Sequence, residues 1–178
     1  MARLKKGVTY RRVERPYTRK SKYRALNYVR AVPVSKIVRY DMGNLKKKYS
    51  LHMDFVSQEA FQLRHNAIES ARLTCNRYLE KNLGKGNYHF KIRIYPHHVI
   101  KENPLATGAG ADRMSTGMKK AFGKPIGVAA QVKKNQILFS VGVDKQHKEV
   151  AKHSLKRISY KLPFKSKVLE RDWIILLE

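Results

Sequence analysis

A glycine-rich basic stretch, residues 108–127, is the part of this chain whose residue types could act on phosphate. It holds five glycines and four cations, the cations being Arg113, Lys119, Lys120 and Lys124. Glycine lets a backbone approach a ligand closely, and the cations can neutralise phosphate charge. The spacing does not fit a nucleotide-binding loop, because five residues separate Gly117 from Gly123 and Lys124 precedes Pro125. The stretch therefore predicts contact with a large polyanion.

The N-terminal segment interleaves aromatic residues with cations. Tyr10, Tyr17, Tyr23 and Tyr28 stand among Arg11, Arg12, Arg15, Arg19, Lys20, Lys22 and Arg24. Tyrosine rings can stack on unpaired bases while the cations hold phosphates. The alternative is that the tyrosines fold back onto the surface of the protein. Spacing alone does not distinguish RNA from DNA.

A third group of cations falls on a predicted helix. Arg64, Arg72, Arg77 and Lys81 are interpreted as its polar side. Such faces are usually only solvated, and contact with RNA is the alternative in a chain of this charge.

Enzymatic and metal sites find little support. His97 and His98 are a possible metal pair, but no third ligand has suitable spacing, and neighbouring side chains in a strand point to opposite faces. We interpret them as satisfied polar histidines or RNA contacts. Ser115 and Thr116 lack an oriented base, so no catalytic residue, cofactor or metal is predicted. The single cysteine, Cys75, is expected to be a small buried residue.

A net charge of +26 at pH 7 indicates an anionic partner. Nucleic acid is the first candidate and an anionic membrane surface the second. The sequence has no apolar run of about 18 residues, so no membrane span is predicted. A DNA-coating module remains the main alternative to an RNA-binding protein. An RNA-modifying enzyme is the third.

Apolar periodicity predicts an α+β fold, mostly antiparallel sheet packed with two helices. The helices are expected at 58–83, with Ser57 as N-cap, and at 145–160. Strands are expected at 36–40, 49–55, 88–94, 128–132, 137–143, 167–170 and 173–176. Residues 133–136 are predicted to be a hairpin turn. The predicted organisation is a basic extended arm over residues 1–32, followed by one domain over 33–178 with a flexible loop at about 97–125.

The stretch Gly110–Pro125, GADRMSTGMKKAFGKP, closely resembles the signature of a family of large-subunit ribosomal proteins. The family is called L10e in archaea and eukaryotes and L16 in bacteria. Residues 91–100, KIRIYPHHVI, are similar to the same family, and the resemblance covers nearly the whole chain. The single cysteine and the short C-terminal end resemble archaeal members.

This resemblance implies a fold of the α/β-hammerhead type and a place in the cytoplasm, on the large ribosomal subunit. The implied partners are large-subunit rRNA, near the peptidyl-transferase region and central protuberance, and the tRNA acceptor arm. 5S rRNA and neighbouring ribosomal proteins are further candidates. Neither a homo-oligomer nor an enzyme is implied.

Two sets of site residues follow from the cation pattern and the resemblance together. The first is expected to bind rRNA: Arg11, Arg12, Arg15, Tyr17, Arg19, Lys20, Lys22, Tyr23, Arg24, Arg64, Arg72, His97 and His98. The second is expected to lie near tRNA: Lys101, Asn103, Gly108, Gly110, Arg113, Lys119, Lys120 and Lys124.

Overall fold

Antiparallel strands and two helices make up the part of the chain that the computed structural model describes, residues 21–29, 31–102 and 123–172. The helices are α1 (His65–Leu83) and α2 (Lys148–Ser159). The strands are β1 (Asp41–Gly43), β2 (Leu51–Ser57), β3 (Phe61–Arg64), β4 (Tyr88–Ile92), β5 (His98–Glu102), β6 (Lys124–Val132), β7 (Ile137–Val143) and β8 (Ser166–Asp172). Short 3-10 turns occur at Arg24–Leu26 and Lys145–His147. The predicted α+β class is confirmed.

Five strands form the larger sheet, in the order β1-β4-β7-β2-β8. The alternation that predicted strands near 49–55 and 88–94 corresponds to β2 and β4. Phe55 and Phe90 both pack their rings against Phe139 of β7, with centroids 6.0 and 5.9 Å away. The polar residues that alternate with the apolar ones in these strands lie on the opposite face of the sheet. The main core therefore packs against one face of this sheet.

Both helices contribute to that core. Helix α1 buries Ile68, Ala71, Cys75 and Leu79 completely, and α2 packs against α1 and against strands of the larger sheet. The predicted burial of Cys75 is confirmed, and burial raises the pKa of its thiol to about 12.

The smaller sheet has the order β3-β6-β5, and its first strand corrects the predicted start of the long helix. Residues 61–64 are extended and paired with β6, so α1 begins at His65 instead of near residue 58. Phe61 and Leu63 alternate with Gln62 and Arg64, a period of two that suits a short strand. The Ser57 hydroxyl donates to the carbonyl of Glu59 in a tight turn and caps no helix.

The predicted hairpin at 133–136 is also wrong in its pairing. A turn forms there, with Asn135 at φ 61°, but β6 pairs with β3 and β5 whereas β7 pairs with β2 and β4. The chain therefore passes from one sheet to the other at this turn. The N–H of Asn135 donates to the carbonyl of Ser57 at 2.8 Å, which joins this crossing to the crossing between β2 and β3.

The segment 36–40 was predicted to be a strand and is irregular instead. Side chains of α1 satisfy its backbone: Nδ1 of His65 accepts from the N–H of Lys36, and Oε2 of Glu69 accepts from that of Val38, both at 3.3 Å. Because a helix occupies these two donors, they are not available for a strand ladder. The carbonyl of Tyr40 at the end of the segment still accepts from the N–H of Ile92 in β4 at 2.8 Å.

The remaining predictions agree in part with the structure. Helix α2 and strand β8 correspond to the predicted elements at 145–160 and 167–170, and β6 extends the strand predicted at 128–132. The expected loop at 97–125 is shorter than predicted at both ends, because β5 occupies 98–102 and β6 begins at Lys124. The strand predicted at 173–176 lies outside the described residues.

Candidate nucleic-acid interface

The end of the basic N-terminal segment presents a ring and two cations to solvent. Tyr23 is 61% exposed, and Lys22 and Arg24 are exposed on either side of it. The Lys22 ammonium lies 5.2 Å from the centroid of the Tyr23 ring. This combination can stack on a base and hold a phosphate. The other expected rRNA-binding residues of this segment lie outside the described residues: Arg11, Arg12, Arg15, Tyr17, Arg19 and Lys20.

The same segment is attached to the smaller sheet. Val29 is 4% exposed and packs with Val99 of β5 and Val128 of β6. Nearby, Nζ of Lys101 donates to the carbonyl oxygen of Tyr28, and burial lowers the pKa of Lys101. Lys101 was expected in a loop near tRNA, but it lies within β5 and bonds to backbone.

Strands β5 and β6 bring the two ends of the intervening segment together. Glu102 is paired with Lys124, and Lys101 with Pro125. Lys124 is exposed at this end of the sheet. The other residues expected near tRNA lie outside the described residues: Asn103, Gly108, Gly110, Arg113, Lys119 and Lys120.

The four cations expected on one polar side of the long helix do not share a face. Arg64 precedes α1 and lies partly buried at the end of β3. Arg72 is 7% exposed, so its placement on the solvent face was wrong. Of these four cations, Arg77 and Lys81 are exposed on α1.

Arg77 and Lys81 border a basic patch with an aromatic centre, which we call the helix patch: Leu73, Thr74, Arg77, Tyr78, Lys81 and Arg157. It surrounds a depression of about 800 Å³. The guanidinium of Arg157, on α2, lies 4.1 Å from the centroid of the Tyr78 ring, a cation–π contact that joins the two helices at the surface. Three cations around an open depression make a surface suited to phosphate groups.

The outer face of the larger sheet is polar and bears a network of charges. The carboxylate of Asp54 is buried; its Oδ1 accepts from the hydroxyl of Ser140 at 2.6 Å, and its Oδ2 lies 2.8 Å from Nε of Arg171. Nε of Arg93 donates to the same hydroxyl at 3.1 Å. Arg93 and Arg171 are both exposed, so one buried carboxylate orients two cations toward solvent.

His97 and His98 occupy different environments, as neighbouring residues near a strand should. His97 is exposed, whereas His98 is 7% exposed and paired with Ala129 across the smaller sheet. The described ranges contain no group of three or more His, Cys, Asp or Glu side chains placed to hold a metal ion.

Arg93, Tyr95 and Arg157 are among the residues of this surface that the sequence did not predict. Arg93, Tyr95 and His97 alternate with buried Ile94 and Pro96, so the period of two that predicted β4 continues past its end. Arg93 already belongs to the alternation of the strand predicted at 88–94, and extending that alternation by one residue reaches Tyr95. Arg157 had no such signal, because only the packing of α2 on α1 brings it to Tyr78.

Within the described residues, neither helix has the length and apolar character needed to cross a bilayer.

Comparison with known proteins gives one consistent family. The pattern of the family described as "Ribosomal protein L16p/L10e" matches residues 13–169. A protein named "Large ribosomal subunit protein uL16" from Methanoculleus marisnigri is 50% identical over 151 residues, which cover 85% of this chain and 89% of that protein. Proteins of the same name come from Archaeoglobus fulgidus, 43% identical over 95% of this chain and 93% of that protein, and from Staphylothermus marinus, 46% identical over 86% and 85%.

Proposed function

Because the chain belongs to the ribosomal protein L16p/L10e family, we propose that it binds large-subunit rRNA through its exposed cations and helps to position the tRNA acceptor arm through its internal loop. Membership itself makes the protein a structural constituent of the large ribosomal subunit, working in the cytoplasm as part of the ribosome. It is not an enzyme, since its relatives are structural ribosomal proteins.

The observation that carries the rRNA proposal is the surface distribution of charge. Exposed cations stand on separate elements: Lys22 and Arg24 before the first strand, Arg93 after β4, and Arg77, Lys81 and Arg157 on the helix patch. A protein that joins several folded RNA segments needs cations on several faces. Arg72 is left out of this proposed interface, because its guanidinium is bonded to Glu69.

The finer parts of the proposal concern the arm and the loop. In this proposal the arm, residues 1–32, holds rRNA near the peptidyl-transferase region and the central protuberance, beside 5S rRNA and neighbouring proteins. Residues 33–178 form a single domain of the α/β-hammerhead type, and the protein acts as a single copy. The loop reaches the tRNA acceptor arm. The pairing of Glu102 with Lys124 supports a loop at this place, because it sets the two ends of the intervening segment side by side in the smaller sheet.

Sedimentation tests the rRNA proposal directly. Cell extract is run on sucrose gradients at low and at moderately high salt, and the protein is detected by immunoblot. We expect it to travel with large subunits and whole ribosomes at both salts. Its recovery with DNA, or at the top of the gradient in low salt, would contradict the proposal.

A double substitution tests the tRNA proposal. We expect Lys119→Ala with Lys120→Ala to slow accommodation of aminoacyl-tRNA while leaving incorporation into subunits unchanged, because many other cations remain for anchoring. The matched control is Lys165→Ala with Lys167→Ala, two exposed lysines near and in β8. If the loop variant never enters large subunits, the proposed separation of roles is wrong.

A further inference from the structure

Three rings gather around the segment between β4 and β5, and nothing in the proposed function above accounts for them. The centroids of Tyr40 and Tyr95 are 5.5 Å apart with their planes at 23°, a stacked pair. The ring of His97 lies 4.6 Å from that of Tyr95. Tyr95 is nevertheless 54% exposed, so the cluster leaves much aromatic surface facing solvent.

A pocket opens beside these rings. It has a volume of about 400 Å³, and its lining includes Tyr95 and His97 together with Arg93 and the side-chain amides Gln131 and Gln136. The size falls in the range of small-ligand sites. A lining that combines rings with side-chain amides suits recognition of a flat, hydrogen-bonding group.

Two of the polar groups are held in position by the protein. Nε of Arg93 donates to the Ser140 hydroxyl, which donates in turn to the buried Asp54 carboxylate. Oε1 of Gln136 accepts from the N–H of Lys133 at 2.8 Å, which leaves the NH₂ group of Gln136 as a donor at the pocket. The guanidinium is thus fixed through one nitrogen, and the rest of it can meet a phosphate.

From this arrangement we propose that the pocket binds one unpaired base of a single-stranded RNA segment, stacked on Tyr95 or His97, with Arg93 on an adjoining phosphate. The inference rests on the proposed rRNA binding and adds the form of RNA that this site takes. An RNA duplex does not fit the site, because the base faces are covered within the helix. A phosphate alone would leave the rings and amides without a role.

Binding of short RNAs to the full-length protein tests the proposal. The probes are a single-stranded decanucleotide of uridines, an abasic strand of the same length, and a ten-base-pair RNA duplex. We expect Tyr95→Leu to weaken binding of the uridine strand about 5- to 150-fold, the range expected for loss of one stacked base. Affinity for the abasic strand and the duplex should not change.

Two further variants control for shape and for loss of a tyrosine. Tyr95→Phe retains the ring and should bind the uridine strand as the unchanged protein does. Tyr160→Leu removes a tyrosine that is 75% exposed at the end of α2, and it should have no effect. Photocrosslinking with 5-iodouridine in the strand should give an adduct at Tyr95 or His97.

The outcomes separate this inference from the proposed function. If the uridine strand, the abasic strand and the duplex bind equally well and Tyr95→Leu changes none of them, the base site is wrong and rRNA binding stands. If none of these probes binds with an affinity that falls as salt is raised, both proposals fail. Adducts confined to residues outside the pocket would also overturn the base site.

Discussion

Arg72 links helix α1 to β1 and, through Glu69, to the irregular segment 36–40. Its Nη2 and Nε donate to the two carboxylate oxygens of Glu69 at 2.6 and 2.9 Å, and its Nη1 lies 3.2 Å from Sδ of Met42 in β1. Oε2 of Glu69 also accepts from the backbone of Val38. The pair therefore anchors an irregular segment to the helix, which is a structural role for a cation in a strongly basic protein.

We expect Arg72→Ala to lower the free energy of unfolding by about 3 kcal/mol, since it leaves a largely buried carboxylate without its partner. Urea denaturation measures the effect. The control is Arg77→Ala, an exposed position five residues further along α1, which should change stability by less than about 0.5 kcal/mol. Arg77→Ala should weaken RNA binding more than Arg72→Ala does. Equal effects of the two substitutions on stability would contradict this role for Arg72.

The same pair gives stability a dependence on pH. The bond from Arg72 holds the pKa of Glu69 below its ordinary value of 4.5. A carboxyl whose folded pKa is depressed contributes stability that is complete above its unfolded pKa and is lost as the pH falls through the folded pKa. We therefore expect Glu69→Gln to flatten the decline of unfolding free energy below about pH 4.5. In an Arg72→Ala background the substitution should flatten it far less, and an equal effect there would contradict the assignment.

At the scale of elements, the packing of one row of residues across the larger sheet requires a glycine in that row. Arg171, His52, Gly142 and His89 face one another in register on β8, β2, β7 and β4. A Cβ at residue 142 would lie 3.0 Å from Cε1 of His52 and 3.3 Å from Cδ2 of Tyr49. The His52 ring therefore occupies the space above the glycine, and burial there lowers the pKa of His52.

We expect Gly142→Ala to reduce the unfolding free energy by about 1–3 kcal/mol through overpacking. The cost of Gly142→Ala should be smaller in a His52→Ala background, where the ring no longer fills the space. It should be larger than the cost of the control Gly86→Ala, where no atom lies within 4 Å of the added Cβ. Urea denaturation of the four proteins of the cycle gives the coupling. A cost at residue 142 that does not depend on residue 52 would show that the ring is not the obstacle.

The attachment of residues 21–29 to the smaller sheet is a second feature at the scale of elements. Among the described residues, Val29 forms a small buried apolar cluster with Val99 and Val128, separate from the main core. A segment held by so few apolar contacts should open locally while the rest of the protein remains folded.

We expect Val29→Ala to speed tryptic cleavage after the exposed Lys22 and Arg24 several-fold, with little change in the melting temperature. Val34→Ala is the control, because Val34 is 89% exposed and its side chain has little to lose. Cleavage rates followed by mass spectrometry measure the difference. Equal rates in both variants would mean that the small cluster does not hold the segment.

At the scale of the whole molecule, local pattern predicted the class of the fold but not its partition into two sheets. Strands β2 and β4 were predictable because long alternating runs face a core. Strands β3 and β5 are four and five residues long, and their pairing with β6 depends on residues far away in the chain. No local signal carries that information.

The interface was predictable to a similar extent. Tyr23 and the cations Lys22, Arg24 and Arg77 are exposed as their types indicated. The burial of Arg72 was accessible from the sequence too, because it lies four residues after Ile68 and three before Cys75, within the apolar stripe. The contact of Arg157 with Tyr78 was not accessible, since it requires the packing of two helices.

The charge of the whole protein gives the last prediction. If about 6–10 cations contact phosphates, affinity for folded rRNA should fall roughly 10³- to 10⁵-fold between 50 and 200 mM salt. Arg77→Ala, Lys81→Ala and Arg157→Ala together should reduce the slope of log affinity against log salt by about 3, because each contact contributes about 1.

The control for that slope removes three other exposed lysines, Lys145, Lys165 and Lys167, which are not part of the helix patch. Both triple variants have the same net charge, so a general effect of charge would change the two slopes equally. A change confined to the first variant would instead assign its three phosphate contacts to the helix patch. Filter binding across a salt series distinguishes these cases, and a shallow slope in the unchanged protein would contradict the electrostatic mechanism altogether.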